Sequence, residues 1–530
     1  MTLALCRAGA GIVRWAATRA RAVGRRTLWL SRDPWLTPPL SHATRIRDTR
    51  IHAEMTQPAT ESGPGARDWL LAAGLAGMAG ALRAFDLNFP PTLILDEFWY
   101  ARDGCYYWRH SLDACHLSGL VPPDRDVITW LATYGELTPE HPPLAKWLIG
   151  APMAALDYGP GAARASALLA GTLTVVLLFL LVRRAFGSRP IAVGAAALLA
   201  IDYPHFVHSR IAMLEIFVGL FAVAAFLFIA LDRDQITNRV MGAASHGWWR
   251  VAAGVAAGLA AASKLSGAAV IVGGLLLIYS WERAASHNGP RQSRWKVGTA
   301  VRVLLPLAAV PMVVYAVSFA GRIDGSWSVL PWAEGSWVHA FIERNVYMLS
   351  FHADKPSGLS SLWHVPMSAE PVSYFQERDQ GGAVRQILLF GNPLLWWGGF
   401  GAVMFAVATW MRGHRTHESE LVVVAFAAGF TGWLALTASG RTVHLFHAIA
   451  VAPFVYLALA YLAHRAVHFP RRGMLGTAVL GLSAVAFAFF LPVLVGQALD
   501  RVDWRARVCS AGILWAASPG YCDALRLAPE

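Results

Sequence analysis

The chain has 530 residues, of which 56% are hydrophobic and 15% charged, with a mean hydropathy of +0.44. That apolar share exceeds what a water-soluble core of this length needs and points to a protein embedded in lipid. A net charge of +12 could suit nucleic acid, but the arginines fall between long apolar runs and in an N-terminal arm, as topology signals do, so a nucleic-acid partner is set aside.

The first 54 residues carry ten arginines against Asp33, Asp48 and Glu54. They lack the clean apolar core and cleavage site of a secretory signal. Residues 1–68 are therefore expected to form a basic cytoplasmic arm without stable structure. Two readings stay open: an arm drawn to anionic lipid, or a leader upstream of a true start at Met55. Neither gives the arm any chemistry.

Crossing roughly 30 Å of hydrocarbon takes about 20 apolar residues. Runs of that order place spans near 69–87, 160–182, 190–204, 211–231, 250–264, 266–281, 299–320, 387–411, 421–437, 444–463 and 474–497. The third, fifth and sixth are short, and their Ala and Gly content suits close packing. With the N-terminus inside, the inner loops hold Arg183, Arg184, Arg189, Arg233, Arg239, Arg283, Arg291, Arg294, Lys296, Arg412, Arg415, Arg465, Arg471 and Arg472; the short outer connections hold only Arg210, Lys264 and Arg441. This asymmetry puts two exterior loops at about 88–143 and 321–386, and the tail at 499–530, outside. The predicted fold is an all-α polytopic membrane protein with a catalytic region over 69–498 and short interfacial helices in the two loops.

The first exterior loop opens with Asp96-Glu97-Phe98-Trp99-Tyr100. Paired acids among aromatics at the water–lipid boundary suit a base, because desolvation raises their pKa unless a cation or hydroxyl compensates. The plainer reading is an N-terminal cap on an interfacial helix. The same topology places Cys105, Cys115, Cys509 and Cys522 outside, where an oxidising face would pair 105 with 115 and 509 with 522; free thiols are the alternative. With Cys6 the fifth cysteine, the sequence has no zinc-type cluster of Cys and His.

Next comes His141-Pro142-Pro143-Leu144-Ala145-Lys146-Trp147, with the prolines ending one element and starting another. Arg164 begins the second span, Arg210 and Glu215 lie in His208-Ser209-Arg210-Ile211-Ala212-Met213-Leu214-Glu215, Lys264 in Ser263-Lys264-Leu265-Ser266-Gly267, and Arg441 in Ser439-Gly440-Arg441-Thr442. Singly, each cation is more often a positional anchor. Together, at the outer ends of several spans, they suggest a shared anionic partner such as a lipid-borne phosphate. They would stabilise a departing phosphate while a carboxylate takes the proton of an attacking hydroxyl. Glu215, and Trp363 and Tyr374 in the second exterior loop, are the candidate sugar or acceptor contacts, the two aromatics alternatively anchoring the loop at the interface. A divalent cation, Mg2+ or Mn2+, is an option that these residues do not require.

The ordered set of Asp96-Glu97, the His141 to Trp147 motif, Arg164, Ser209-Arg210 with Leu214-Glu215, and Gly391-Asn392-Pro393 with Trp396-Trp397 resembles the protein O-mannosyltransferases, a family of the GT-C class of polyprenyl-phosphate-sugar-dependent transferases. The likeness runs from about 69 to 465. It implies a GT-C-like bundle of about 11 spans in the cell membrane, N-terminus cytoplasmic and active site exterior. It also implies a polyprenyl phosphate mannose donor and a secreted or membrane protein acceptor, with an export translocon as a further candidate partner. By resemblance Asp96 is the base, Glu97 assists acceptor placement, Arg164 contacts the donor phosphate, and His141 and Lys146 lie near the site. Glu215 stands where the family usually has Asp, Ala145 where Gly is common, and the loop at 321–386 is too short for a β-trefoil domain, which favours a bacterial-type enzyme. Two rivals remain: a GT-C enzyme with another sugar and a glycan or lipid acceptor, and a lipid-linked-sugar transporter, against which the sequence offers no convincing internal repeat.

Overall fold

The computed structural model describes residues 64–109, 138, 140–156, 158–240, 247–288, 297–319, 337–353, 371–438, 445–466 and 469–514. The arm to residue 63, Trp363, Arg441, Cys115 and Cys522 lie outside the described residues, as do the middle of the first exterior loop and much of the second. From Pro64 onward the chain forms one unit.

In chain order its helices are α1 (Ala66–Ala84), α2 (Glu97–Arg109), α3 (Leu144–Leu156), α4 (Pro160–Phe186), α5 (Arg189–Ala200), α6 (Tyr203–His208), α7 (Glu215–Val240), α8 (Trp248–Ser263), α9 (Ala268–Asn288), α10 (Val297–Ser318) and α11 (Trp337–Ala353). A hairpin of β1 (Val372–Arg378) and β2 (Val384–Leu389) follows, then α12 (Pro393–Met411), α13 (His417–Ala438), α14 (Ala452–Arg465), α15 (Arg472–Val495) and α16 (Arg501–Leu514). Among the described residues five helical segments are long and apolar enough to cross a membrane: Pro160–Phe186, Glu215–Ile236, Leu265–Ala285, Pro393–Met411 and Arg472–Val495. The other expected spans overlap helices that are shorter, less apolar or described only in part. Leu169, Leu173, Val272, Leu276, Met312, Val317, Leu482 and Val485 face outward, more than a third exposed. Such a surface is unfavourable in water and suits lipid.

Helix ends follow local chemistry. Pro160 starts α4 with its φ already set, and Gly187 at φ 68° closes it by donating its N–H to the Arg183 carbonyl. Arg183 and Arg184 in that last turn oppose the helix dipole. Asp202 caps α6 by accepting from His205 N at 3.0 Å, and Asn392 caps α12 by accepting from Leu394 N at 3.1 Å. The short helix α8 packs tightly on α10, where a Cβ at Gly254 or Gly258 would meet the backbone at Pro306 and Pro311. Small residues thus let the backbones approach, as membrane helices require.

The hairpin is an addition to the expected helical architecture. The turn Asp379 to Ala383 closes with Gly382 at φ 83° and with Asp379 Oδ1 accepting from Ala383 N at 2.8 Å. The run 387–411 was expected to be continuous, but Ile387, Leu388 and Leu389 are buried strand residues and Pro393 begins the helix. Antiparallel register skips Tyr374, with Ser373 opposite Leu388 and Phe375 opposite Ile387. This bulge turns one side chain out of the alternation. At the far edge, Val384 and Leu499 exchange backbone hydrogen bonds of 2.8 and 3.0 Å.

Candidate functional site

The two acids at the entry to α2 have different surroundings. Leu95, at φ 52°, holds the left-handed region that a branched side chain disfavours, and such strain persists where neighbours over-determine it. Glu97 supplies that determination. Fully buried, its carboxylate accepts from Ile94 N at 2.9 Å, from Ala212 N at 2.7 Å, and from Arg164 Nε and Nη2 at 2.9 Å each. Arg164 spends its other N–H groups on the carbonyls of Leu87, Pro90 and Thr92 at 3.0–3.2 Å. Asp96 is half-buried and accepts from the Tyr100 hydroxyl at 3.4 Å.

A second buried cluster joins α2 to α3. Lys146 Nζ donates to Asp103 Oδ2 at 2.8 Å and to the Thr138 carbonyl and hydroxyl oxygens at 2.5 and 3.0 Å. Arg102 donates to Asp103 Oδ1 at 2.8 Å, and Arg344 of α11 donates to the Thr138 carbonyl at 3.0 Å. Burial pushes the Asp103 carboxyl up, but Lys146 and Arg102 outweigh it and hold it below the usual range. His141 is half-buried, its ring 6.1 Å from that of Tyr100.

The third group forms where α6, α7, α8 and the hairpin meet. Glu215, at the start of α7, is ion-paired with Lys264 at the end of α8, and Lys264 Nζ also lies 5.7 Å from the Phe446 ring centroid. His208 Nε2 and the Tyr374 hydroxyl are 2.9 Å apart, both side chains buried. The Tyr374 phenol is pushed well above its ordinary pKa by burial first and then by the charges of Glu215 and Asp96. Burial, Asp96, Glu215 and Glu140 act likewise on Tyr100. Asp96 and Glu215, 119 positions apart in sequence, thus bear on the same two phenols.

Of the cations expected to share a lipid phosphate, those among the described residues have protein partners: Arg164 has Glu97, Lys146 has Asp103, and Lys264 has Glu215. Arg210 donates to the carbonyls of Arg83 at 2.7 Å, of Asp86 at 3.1 Å, and of Phe85, closing the end of α1. Lys264 is the most accessible of these four, its side chain 12% exposed against none for Lys146 and Arg164. Trp396, of the motif after Asn392, donates its indole N–H to Asp202 at 2.8 Å, where Tyr456 also donates at 2.6 Å. That motif therefore fastens α12 and α14 to the α6 cap.

Sequence reasoning missed His208, Asp103 and Tyr100 as candidate site residues. His208 directly precedes Ser209-Arg210, and that adjacency was its one signal. Cys105 and Cys509 are disulfide-bonded; their expected partners lie outside the described residues. Among the described residues no group of three or more His, Cys, Asp or Glu is arranged to hold a metal ion.

Residues 75–323 match the family described as dolichyl-phosphate-mannose-protein mannosyltransferase. A polyprenol-phosphate-mannose--protein mannosyltransferase of Mycobacterium tuberculosis is 29% identical over 422 residues, covering 69% of this chain and 80% of that protein. Its namesake from Mycolicibacterium smegmatis is 28% identical over 500 residues, covering 84% and 92%. Among solved structures, the S. cerevisiae protein O-mannosyltransferase Pmt1-Pmt2 complex bound to the sugar donor matches with a TM-score of 0.65 at 14% identity, covering 87% of this chain and 93% of that one. ArnT from Cupriavidus metallidurans in the apo state matches with a TM-score of 0.51 at 18% identity, covering 85% and 70%. At these identities the structural likenesses establish a shared fold, the GT-C bundle.

Proposed function

We propose, on the premise that this chain is a member of the protein mannosyltransferase family, that it transfers mannose from a polyprenyl phosphate mannose donor to Ser or Thr hydroxyls of proteins at the exterior membrane face. The observation that carries this reading is the half-buried Asp96 carboxylate, hydrogen-bonded by Tyr100 and acting electrostatically on Tyr100 and Tyr374 together with Glu215, the ion-pair partner of Lys264.

Asp96 takes the proton from the acceptor hydroxyl as its oxygen bonds to the anomeric carbon. The bond from that carbon to the phosphate oxygen breaks, polyprenyl phosphate leaves with the electron pair, and attack from the opposite face inverts the configuration. Lys264 is the cation best placed to meet the phosphate charge, exchanging Glu215 for it, with Arg441 a second candidate outside the described residues. Arg164 and Glu97 act earlier in the chain of cause, by fixing the backbone on either side of Asp96. His141 and Tyr374 line the approach. The acceptor is a secreted or membrane protein, received in extended form as it leaves an export translocon. The enzyme sits in the cell membrane with its N-terminus cytoplasmic.

Incubating membranes with radiolabelled polyprenyl phosphate mannose and Ser/Thr-rich peptides tests the reading. Label should enter the peptide, and Asp96→Asn should lower the rate about 10²–10⁴-fold, the usual cost of losing a positioned base. Label found in glycan or lipid with none in peptide would reassign the acceptor. Undiminished transfer by Asp96→Asn would remove the base.

A further inference from the structure

The bulge in β1 places Tyr374 where the alternation of a regular strand would not. Its neighbours Ser373 and Phe375 stay in register with β2, while its own ring lies against His208 with centroids 5.6 Å apart and planes inclined at 64°. The hydroxyl is 2.9 Å from His208 Nε2. His208 Nδ1 is buried and has no hydrogen-bond partner among the described residues. A neutral imidazole holds one N–H and one lone pair, and an N–H left unpaired in the interior is costly. The proton therefore belongs on Nε2, which donates to the phenol oxygen. Burial holds the ring neutral, its pKa pushed down to about 4.

In this tautomer the hydrogen of the Tyr374 hydroxyl is not used by His208, and it remains for a ligand. Asp96 acts on this phenol while the charge of Glu215 is met by Lys264, so an uncharged hydroxyl suits this position and the phosphate goes to Lys264. We propose that Tyr374, positioned by His208, donates a hydrogen bond to a hydroxyl of the sugar on the donor lipid, so that this pair reads the sugar and leaves the phosphate to the cations. The inference rests on the donor assigned above. It adds a specificity determinant and its positioning residue.

Affinity measured on the full-length purified protein in detergent, for polyprenyl phosphate mannose and for bare polyprenyl phosphate, tests it without turnover. The wild type is expected to prefer the mannosyl lipid. Tyr374→Phe and His208→Leu should each reduce that preference about tenfold, the worth of one lost neutral hydrogen bond. His208→Gln, whose amide can still donate to the phenol, should keep it within about threefold. No preference in the wild type, an unchanged ratio in Tyr374→Phe, an equal loss for both lipids, or a failure of His208→Gln to rescue would each overturn the proposal. A wild type that prefers the mannosyl lipid yet labels no peptide would defeat the protein acceptor and leave the sugar-reading pair in place.

Discussion

Glu97 and Arg164 stand 67 residues apart in sequence and meet with no exposed side-chain surface. Removing one partner of such a buried pair leaves an uncompensated charge and costs roughly 3–5 kcal/mol. Glu97→Gln and Arg164→Met should each lower thermal stability sharply, and the double variant Glu97→Leu with Arg164→Met should recover only a small part, because the N–H groups of Ile94 and Ala212 and the carbonyls of Leu87, Pro90 and Thr92 lose their partners. Arg164→Met with wild-type stability and lost donor affinity would instead return Arg164 to the phosphate. A pH effect follows from His208, whose pKa falls to about 4 on burial from about 6.5 in an unfolded chain. Between those values the unfolded state binds more protons, so stability falls as pH drops from about 6.5 to about 4. His208→Gln should flatten that part of a thermal-stability profile, and an unchanged slope would mean that the ring is not buried neutral. Asp96, Glu97, Glu215 and the cations Lys146, Arg164, Arg210 and Lys264 were legible as candidates, because ionisable residues at the ends of apolar runs are costly and stand out; Asp103, inside a helix, was not. Their pairing was not, since which carboxylate meets which cation is decided by contacts that no local spacing encodes.

Helices α2 and α3 touch backbone to backbone. A Cβ at Gly104 would fall on the carbonyl of Lys146 and on the backbone of Gly150, and one at Gly150 would fall on Gly104. That approach brings Lys146 onto Asp103, so Gly150→Ala should separate the helices and loosen a charge pair one turn away. Loss of more than about 2 kcal/mol of stability is expected, with Gly473→Ala, in open surroundings, as the control. Equal stability of the two variants would mean that α3 shifts freely. Several helices were legible from apolar runs, as with the run 160–182 that falls within Pro160–Phe186. The hairpin was hidden because the apolar end of β2 runs into α12 with only Phe390, Gly391 and Asn392 between, and hydropathy does not separate a buried strand from the start of a helix.

At the scale of the molecule, arginines at the α4 to α5 turn pair with acids of the same end. Asp68 of α1 accepts from Arg183 at 3.3 Å and Arg189 at 2.7 Å. If this end is cytoplasmic and the hairpin exterior, an impermeant maleimide should modify His414→Cys only from the inside and Gln380→Cys only from the outside. The reverse pattern would invert the topology and move the site to the other face. Both positions are exposed, and native thiols are blocked beforehand. The bond pair between Val384 and Leu499, with Trp504 Nε1 donating to Gln386 at 2.9 Å, fastens the strand partner of the sugar-reading tyrosine to segments made more than a hundred residues later. During synthesis, then, the hairpin waits unclasped until residues past 499 have left the ribosome and followed the last crossing into place. A nascent chain halted before that point would hold every acid and cation described above and still lack its finished receptor for the sugar.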